Sequence, residues 1–265
     1  MLTFPSIDPV ALSLGPLAIR WYSLAYIGGI LLGWWVLIRE HDRRPITGLD
    51  RKALDDTVMW AVLGIILGGR LGYVLFYKPA YYLSHPIEAF YIWEGGMSFH
   101  GGLIGVIVAF WLFSRKHGVR FLELMDVIAS AVPIGLFFGR VANFINGELF
   151  GRITDSPLGM VFPHGGPEPR HPSQLYEAAL EGILLFVVLQ LVLKFTRARD
   201  KIGLIAGLFL IGYSLARMTA EYFREPDAYL GFIVGEITMG QLLCLPMLAI
   251  GLYLALRPKR RQPAS

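Results

Sequence analysis

Apolar residues along this chain gather into seven long runs, near residues 21–38, 57–77, 95–113, 124–146, 173–193, 202–222 and 237–256, with short polar segments between them. At about 1.5 Å of rise per residue, runs of this length cover the roughly 30 Å of a bilayer's hydrocarbon core. The pattern predicts an all-α, polytopic membrane protein of seven transmembrane helices, one integral membrane domain over residues 1–265. The segments between the runs differ in kind. Residues 1–20 and 78–94 read as outer interfacial arms, the second (within YKPAYYLSHPIEAFYIW) dense in Tyr, Phe and Trp, which favour the headgroup level. Residues 150–172 are broken by Pro and Gly without helical or strand period, which predicts an irregular cap. Residues 257–265 form a basic tail, and no internal repeat is present.

Composition agrees with the pattern. Hydrophobic residues make up 55% of the chain and charged residues only 17%, a balance that excludes an ordinary soluble domain. The net charge of +4 is not a nucleic-acid footprint, because Lys and Arg cluster between the runs. Arg39, Arg43, Arg44, Arg51 and Lys52 follow the first run; Arg115, Lys116 and Arg120 the third; Lys194, Arg197, Arg199 and Lys201 the fifth; Arg257, Lys259, Arg260 and Arg261 the last. The alternate loops are poor in both, so the positive-inside rule places the N-terminus outside and the C-terminus in the cytoplasm. Residues 1–20 lack a basic n-region, so the first run is expected to be retained as a helix. A single cysteine, Cys244, excludes an internal disulfide framework and a multi-cysteine metal site.

Ionisable residues inside membrane spans are costly, so each marks a candidate site. Here they are Arg70, His100, Arg140, Glu177, Glu181, Arg217 and Glu221, all in the outer halves of their predicted spans. Polar groups restricted to one side suit an enzyme or binding protein of the outer leaflet better than a transporter, which needs a polar route to both faces. Guanidinium groups hold phosphate bidentately and keep their charge in a poor solvent, so a phospholipid headgroup is the natural anion for three arginines at similar depth. The bland reading is that each arginine has a glutamate partner and merely ties helices together; Arg217 and Glu221, four apart, suit it.

In GRVANFINGELFGR, Arg140, Asn143 and Gly147 fall on one helical face, and Asn146, Glu148 and Arg152 turn over the helix end. Capping by Asn, with Gly151 as a stop, explains only part of this set. His100 stands between glycine pairs in GGMSFHGG; it is either a packed, hydrogen-bonded residue or a base suited to neutral pH. His171 is expected to cap the fifth span, with Ser173 as N-cap and Gln174, Glu177 and Glu181 sharing one face behind it. Cys244, in LLCLP, reads as core filler, Ser98 is a weak dyad partner for His100, and there is no GxSxG or HExxH motif. If chemistry occurs, the nucleophile arrives with the substrate. A lipid flippase and an outer-leaflet phospholipase using water remain the competing classes.

Nearly the whole chain resembles the prolipoprotein diacylglyceryl transferase family, through FPSIDPVALSLGPLAIRWYSL, GGRLGYVLFY, GGMSFHGGLIG, GRVANFINGELFGR, RHPSQLYEA, GYSLARMTAEYFREPD and MGQLL. The resemblance implies transfer of the diacylglyceryl group of phosphatidylglycerol to the lipobox cysteine of a prolipoprotein signal peptide, with a thioether formed and glycerol phosphate released. It implies no metal or soluble cofactor, and a place in the bacterial cytoplasmic (inner) membrane with the site toward the periplasm. Carried onto matching positions, the family's functional residues are Tyr22, His100, Arg140, Asn143, Glu148, Gly151, Arg217 and Glu221, supported by Asn146, His171, Tyr213 and Arg224. The catalytic roles implied fall to His100, Arg140 and Arg217. Two departures are Ser23, where the family commonly has Gly, and a cap that is short beside some members.

Overall fold

A computed structural model describes residues 2–5, 7–15, 17–226, 232–235, 237–257 and 259–260. The end of the predicted basic tail, 261–265, lies outside the described residues. Contacts divide the chain into two compact units, Met1–Glu40 with Met125–Pro263, and His41–Leu124.

The first unit opens with a hairpin of β1 (Val10–Leu14) and β2 (Leu17–Arg20), a strand pairing that the reading of residues 1–20 as an arm did not anticipate. Helix α1 (Trp21–Arg43) follows, then α5 (Phe121–Ala129) and α6 (Val132–Ile145), where one continuous helix over 124–146 was expected. The two are bent by 44°. Pro133 sits in the first turn of α6, where its missing N–H costs nothing, but it cannot continue α5. The fifth span is one helical stretch of three parts: α7 (Ser173–Glu177), a π-helical segment (Ala178–Leu184) and α8 (Leu185–Phe195). β3 (Lys201–Ile202), α9 (Leu204–Glu221), a small hairpin of β4 (Phe232–Val234) and β5 (Ile237–Thr238), α10 (Met239–Leu256) and β6 (Lys259–Arg260) complete the unit. A core of Ala129, Leu185, Leu189, Leu193, Ala198, Ile205 and Ala206 joins α5, α8 and α9. Gly182 lets the π-helical segment press on α6: a Cβ there would stand 2.6 Å from that of Phe137. Asp126 of α5 accepts from the backbone N–H groups of Gly203 (2.6 Å) and Ala206 (2.9 Å), supplying the anion that the start of α9 needs.

The 150–172 segment has no named helix or strand. Its Met160 and Phe162 fill a second core with Phe144, Phe4, Phe150 and Leu175, and short bridges pair Ile153 and Met160 with Arg170.

The second unit is built on α2 (Arg51–Phe76) and α4 (Phe99–Lys116). Asp50 starts α2 by accepting from the Ala53 N–H at 2.7 Å. Gly64, Gly68 and Gly72 face Gly101 and Gly105 so closely that a Cβ on any of them would lie 2.2–2.8 Å from the opposite backbone. This is the small-residue seam by which helices associate where lipid is as apolar as the side chains. The arm 78–94 folds as α3 (Pro79–Ser84) and two 3₁₀ turns, Pro86–Phe90 and Ile92–Glu94. Gly95 and Gly96, at φ of 83° and 76°, then delay the start of α4 to Phe99.

Among the described residues five helices are long and apolar enough to cross a membrane: α1, α2, the Ser173–Phe195 stretch, α9 and α10, with the bent α5–α6 pair a sixth if it is one broken span. α4 carries His100, Arg115 and Lys116 within 18 residues and is not among them. Leu67, Leu71, Leu31, Leu191 and Ile250 point outward from these helices, the disposition of a multi-pass membrane protein.

Candidate functional site

Glu177 organises the first unit. It stands where α7 passes into the π-helical segment, a departure from α geometry that recurs at functional sites. Its carboxylate has no exposed surface, and three guanidinium groups converge on it: Arg140 Nε at 2.7 Å, Arg217 Nη1 at 2.8 Å and Arg224 Nη1 at 3.2 Å. Glu181, one turn on and equally buried, meets Arg140 Nη2 at 3.4 Å and leaves its Oε1 without a hydrogen bond. Arg217 Nη2 also pairs with Glu221 on its own helix. Arg140, Arg217 and Arg224 thus face Glu177, Glu181 and Glu221, three charges of each sign.

The bland reading of these arginines is therefore partly right, since both Arg140 and Arg217 have glutamate partners. They are not sealed by them, however. The side chains of Arg140 and Arg217 keep 18% and 14% of their surface exposed against none for Glu177. Each guanidinium has five N–H donors, and the closest carboxylate contacts use two of them. Glu177→Ala would leave three clustered cations short of their shared anion. It is expected to lower stability by about 3–5 kcal/mol, read as a fall in melting temperature in detergent; a variant melting with wild type would show that the network carries no stability.

Arg70 does not belong with these arginines. In the second unit its buried guanidinium donates to the backbone carbonyls of Glu88 (2.6 Å), Ala89 (2.8 Å), Gly95 (2.6 Å) and Gly96 (3.3 Å), and its Cζ lies over the Tyr82 ring at 5.3 Å. It clamps the arm, which corrects its expected role as a phosphate ligand.

The segment after α6 presents the next cluster. Helix α6 stops at Ile145, with Asn146 as C-cap and Gly147 at φ 66°, so Gly147 lies beyond the helix and not on the face of Arg140 and Asn143. Gly147 N–H bonds to Phe144 O (2.9 Å) and Glu148 N–H to Asn143 O (3.0 Å), a Schellman ending. Gly147, not Gly151, is the stop. The Glu148 carboxylate is exposed and accepts from the side-chain amides of Asn143 (2.9 Å) and Asn146 (3.3 Å). The next residue, Leu149, holds φ at 55°, a strained setting for a branched side chain. Two buried side chains keep the turn in place: Gln174 Nε2 donates to Glu148 O at 2.6 Å and Ser173 Oγ to Leu149 O at 3.1 Å. Ser173 is thus not the N-cap that its position suggested; Pro172 occupies that place, and the hydroxyl is spent on the strained turn.

Gly151 has no room for a side chain, as a Cβ would stand 2.2 Å from Phe223 O and 2.8 Å from His171 Cβ. Its N–H bonds to His171 O at 2.8 Å while that of Arg152 bonds to Phe223 O at 2.9 Å. Arg152 then reaches the carbonyls of Arg224 (2.9 Å) and Glu221 (3.2 Å), where the end of α9 offers partial negative charge. His171 does not cap the fifth span: its Nδ1 lies 3.2 Å from Tyr176 OH and its ring meets Phe223 edge-on at 5.2 Å. Burial pushes its pKa below the ordinary histidine value, which favours the neutral imidazole.

Tyr22 pairs with Tyr26 (OH···OH 3.3 Å). Tyr213 stacks on Phe209 at 6.0 Å beside the α5–α8–α9 core. His100, in the second unit, is exposed in the first turn of α4, edge-on to Phe99 at 5.7 Å. The α2–α4 seam accounts for Gly101, where a Cβ would stand 2.3 Å from Gly68 O, whereas one on Gly102 would meet only ordinary contacts, 3.5 Å from Ile65 O. Ser98 is the buried N-cap of α4, its Oγ accepting from Gly101 N–H at 3.2 Å. Cys244 is buried, as expected of core filler.

Glu177 was visible in the sequence as a buried acid but not as the centre of the site; only its spacing from Gln174 and Glu181 pointed to a shared face. Residues 9–257 match the family described as Prolipoprotein diacylglyceryl transferase. The chain belongs to that family. It is 56% identical over 261 residues to a protein of Paramagnetospirillum magneticum, covering 98% of this chain and 97% of that protein. It is 55% identical over 265 residues to one of Rhodospirillum rubrum (99% and 96%) and 54% identical over 259 residues to one of Nitratidesulfovibrio vulgaris (97% of each). All three relatives are named phosphatidylglycerol–prolipoprotein diacylglyceryl transferase.

Proposed function

We propose that the arginine cluster around Glu177 is the phosphate site of the diacylglyceryl transfer for which these relatives are named. The protein is a transferase of lipoprotein biosynthesis whose substrates are phosphatidylglycerol and a prolipoprotein. The observation that carries the assignment of the site is that Arg140 and Arg217 meet on one fully buried carboxylate while keeping part of their own surface open. Anions of the protein hold the guanidinium groups in place, and their remaining N–H groups offer a phosphodiester a fixed set of donors.

In the reaction, the lipobox cysteine thiol gives its proton to His100 as sulfur attacks the glyceryl carbon next to the phosphate ester. A carbon–sulfur bond forms, the carbon–oxygen bond breaks, and glycerol phosphate leaves with one more negative charge than the diester carried. Arg140 and Arg217 stabilise that charge; Glu221 orients Arg217, with Arg224 sharing Glu177. Asn143, Asn146, Glu148 and Tyr22 bind the headgroup hydroxyls, and Gly151, His171 and Tyr213 shape the walls. The exposed imidazole of His100 supports the base role, since a general base needs access to the proton it takes. Both substrates are amphiphiles, so they enter and leave sideways from lipid. The same reading takes the chain as a single membrane domain of seven spans, α4 included, in the bacterial inner membrane, with the N-terminus and the site periplasmic and the C-terminus cytoplasmic, as the placing of Lys and Arg supports.

Incubating the purified chain with phosphatidylglycerol vesicles and a lipobox peptide should add a diacylglyceryl mass to the peptide's cysteine, seen by mass spectrometry. Diacylglycerol released with the peptide unchanged would mean a phospholipase, and lipid crossing between leaflets with neither product a flippase.

A further inference from the structure

The MGQLL stretch at the start of α10 has no role in the reading above. Thr238, the N-cap of α10, forms a capping box: its Oγ1 accepts from Gln241 N–H at 3.3 Å while Gln241 Oε1 accepts from the Thr238 N–H at 3.1 Å. The same hydroxyl has one proton left to donate, and it goes to Glu221 Oε2 at 2.9 Å. Glu221 in turn pairs through Oε1 with Arg217. Thr238, Gln241 and Glu221 are 4%, 8% and 3% exposed, so water does not compete for these bonds. Gly240 completes the arrangement, because a Cβ there would stand 2.5 Å from Glu221 Oε1 and displace the carboxylate.

We infer that Thr238 is a positioning residue for the transfer reaction: its hydroxyl fixes the Glu221 carboxylate, which fixes the Arg217 guanidinium. This rests on the proposed phosphate role of Arg217. A carboxylate held by one guanidinium alone swings about its own side chain. With a second, neutral donor from another helix its two oxygens are assigned, and Arg217 is aimed before substrate arrives. Such pre-orientation acts where charge develops, so its loss falls on kcat more than on KM.

Three substitutions separate this from helix capping. Thr238→Ser keeps both the cap and the donor. Thr238→Gly keeps a backbone well suited to the N-cap but has no hydroxyl for Glu221. Thr238→Val removes the donor and the favourable cap. In phosphatidylglycerol vesicles with the lipobox peptide, Ser should turn over like wild type. Gly and Val should lose about 10-fold or more in kcat, the worth of one hydrogen bond to a charged group, with KM little changed. Gly should melt close to wild type. In a Glu221→Gln background, Thr238→Val should cost little more, because the path to Arg217 is already cut. A Gly variant as active as Ser would overturn the inference, as would losses of kcat that add in full in the double variant, or losses that track melting temperature through all three substitutions. Absence of transfer by the wild-type chain would instead remove the proposed function, and this inference with it.

Discussion

Arg140→Lys should lower transfer by about 10²–10³ in kcat, although the charge is kept. Arg140 meets two carboxylates through two nitrogens of one planar group, Nε to Glu177 at 2.7 Å and Nη2 to Glu181 at 3.4 Å. A lysine ammonium is a point donor on a flexible stem; it can reach one of these acids but cannot hold both and still offer a phosphate a fork. Glu181 would then stand buried with neither oxygen bonded to residue 140. The measurement is steady-state transfer in phosphatidylglycerol vesicles beside the variant's melting temperature. Activity equal to wild type would show that positive charge alone suffices and that the bidentate geometry is incidental.

His100→Gln is the second substitution with a large expected effect. Glutamine retains hydrogen-bonding capacity and approximate size but cannot take a proton near neutral pH, so transfer should fall by about 10²–10⁴, the usual contribution of a positioned base. Binding of phosphatidylglycerol, measured by retention of labelled lipid on the purified chain, should be unchanged. Raising the pH should restore part of the lost rate, since a lipobox thiol with a pKa of about 8.5 then ionises without help. Unchanged turnover at neutral pH would remove His100 from the chemistry. Equal loss of lipid binding and turnover would make it a binding residue.

The positions of the helices were legible from the spacing of apolar residues, because a helix in lipid must be apolar along its length and its ends are marked by local chemistry. Asp50, Ser98 and Thr238 each accept a backbone N–H at the start of α2, α4 and α10, starts that the apolar runs alone had set near 57, 95 and 237. The shared face of Gln174, Glu177 and Glu181 was likewise a matter of helical period, and all three are buried. The bend at Pro133 and the Schellman ending at Gly147 were present as residue types, yet the first was read through and the second was placed one turn too late, at Gly151.

The sequence by itself therefore determined the membrane class, most of the helices, the family, and the set of polar residues from which a site is made. Those follow from composition, period and motif, all local along the chain. Which charge answers which was decided only by packing. Glu177 serves Arg140, Arg217 and Arg224 from three different segments, Arg70 spends its donors on the carbonyls of the arm, and Ser173 and Gln174 turn to the strained carbonyls of Glu148 and Leu149. A buried polar group takes whatever partner the neighbouring helix brings within about 3 Å, and no spacing within a single segment encodes that distance.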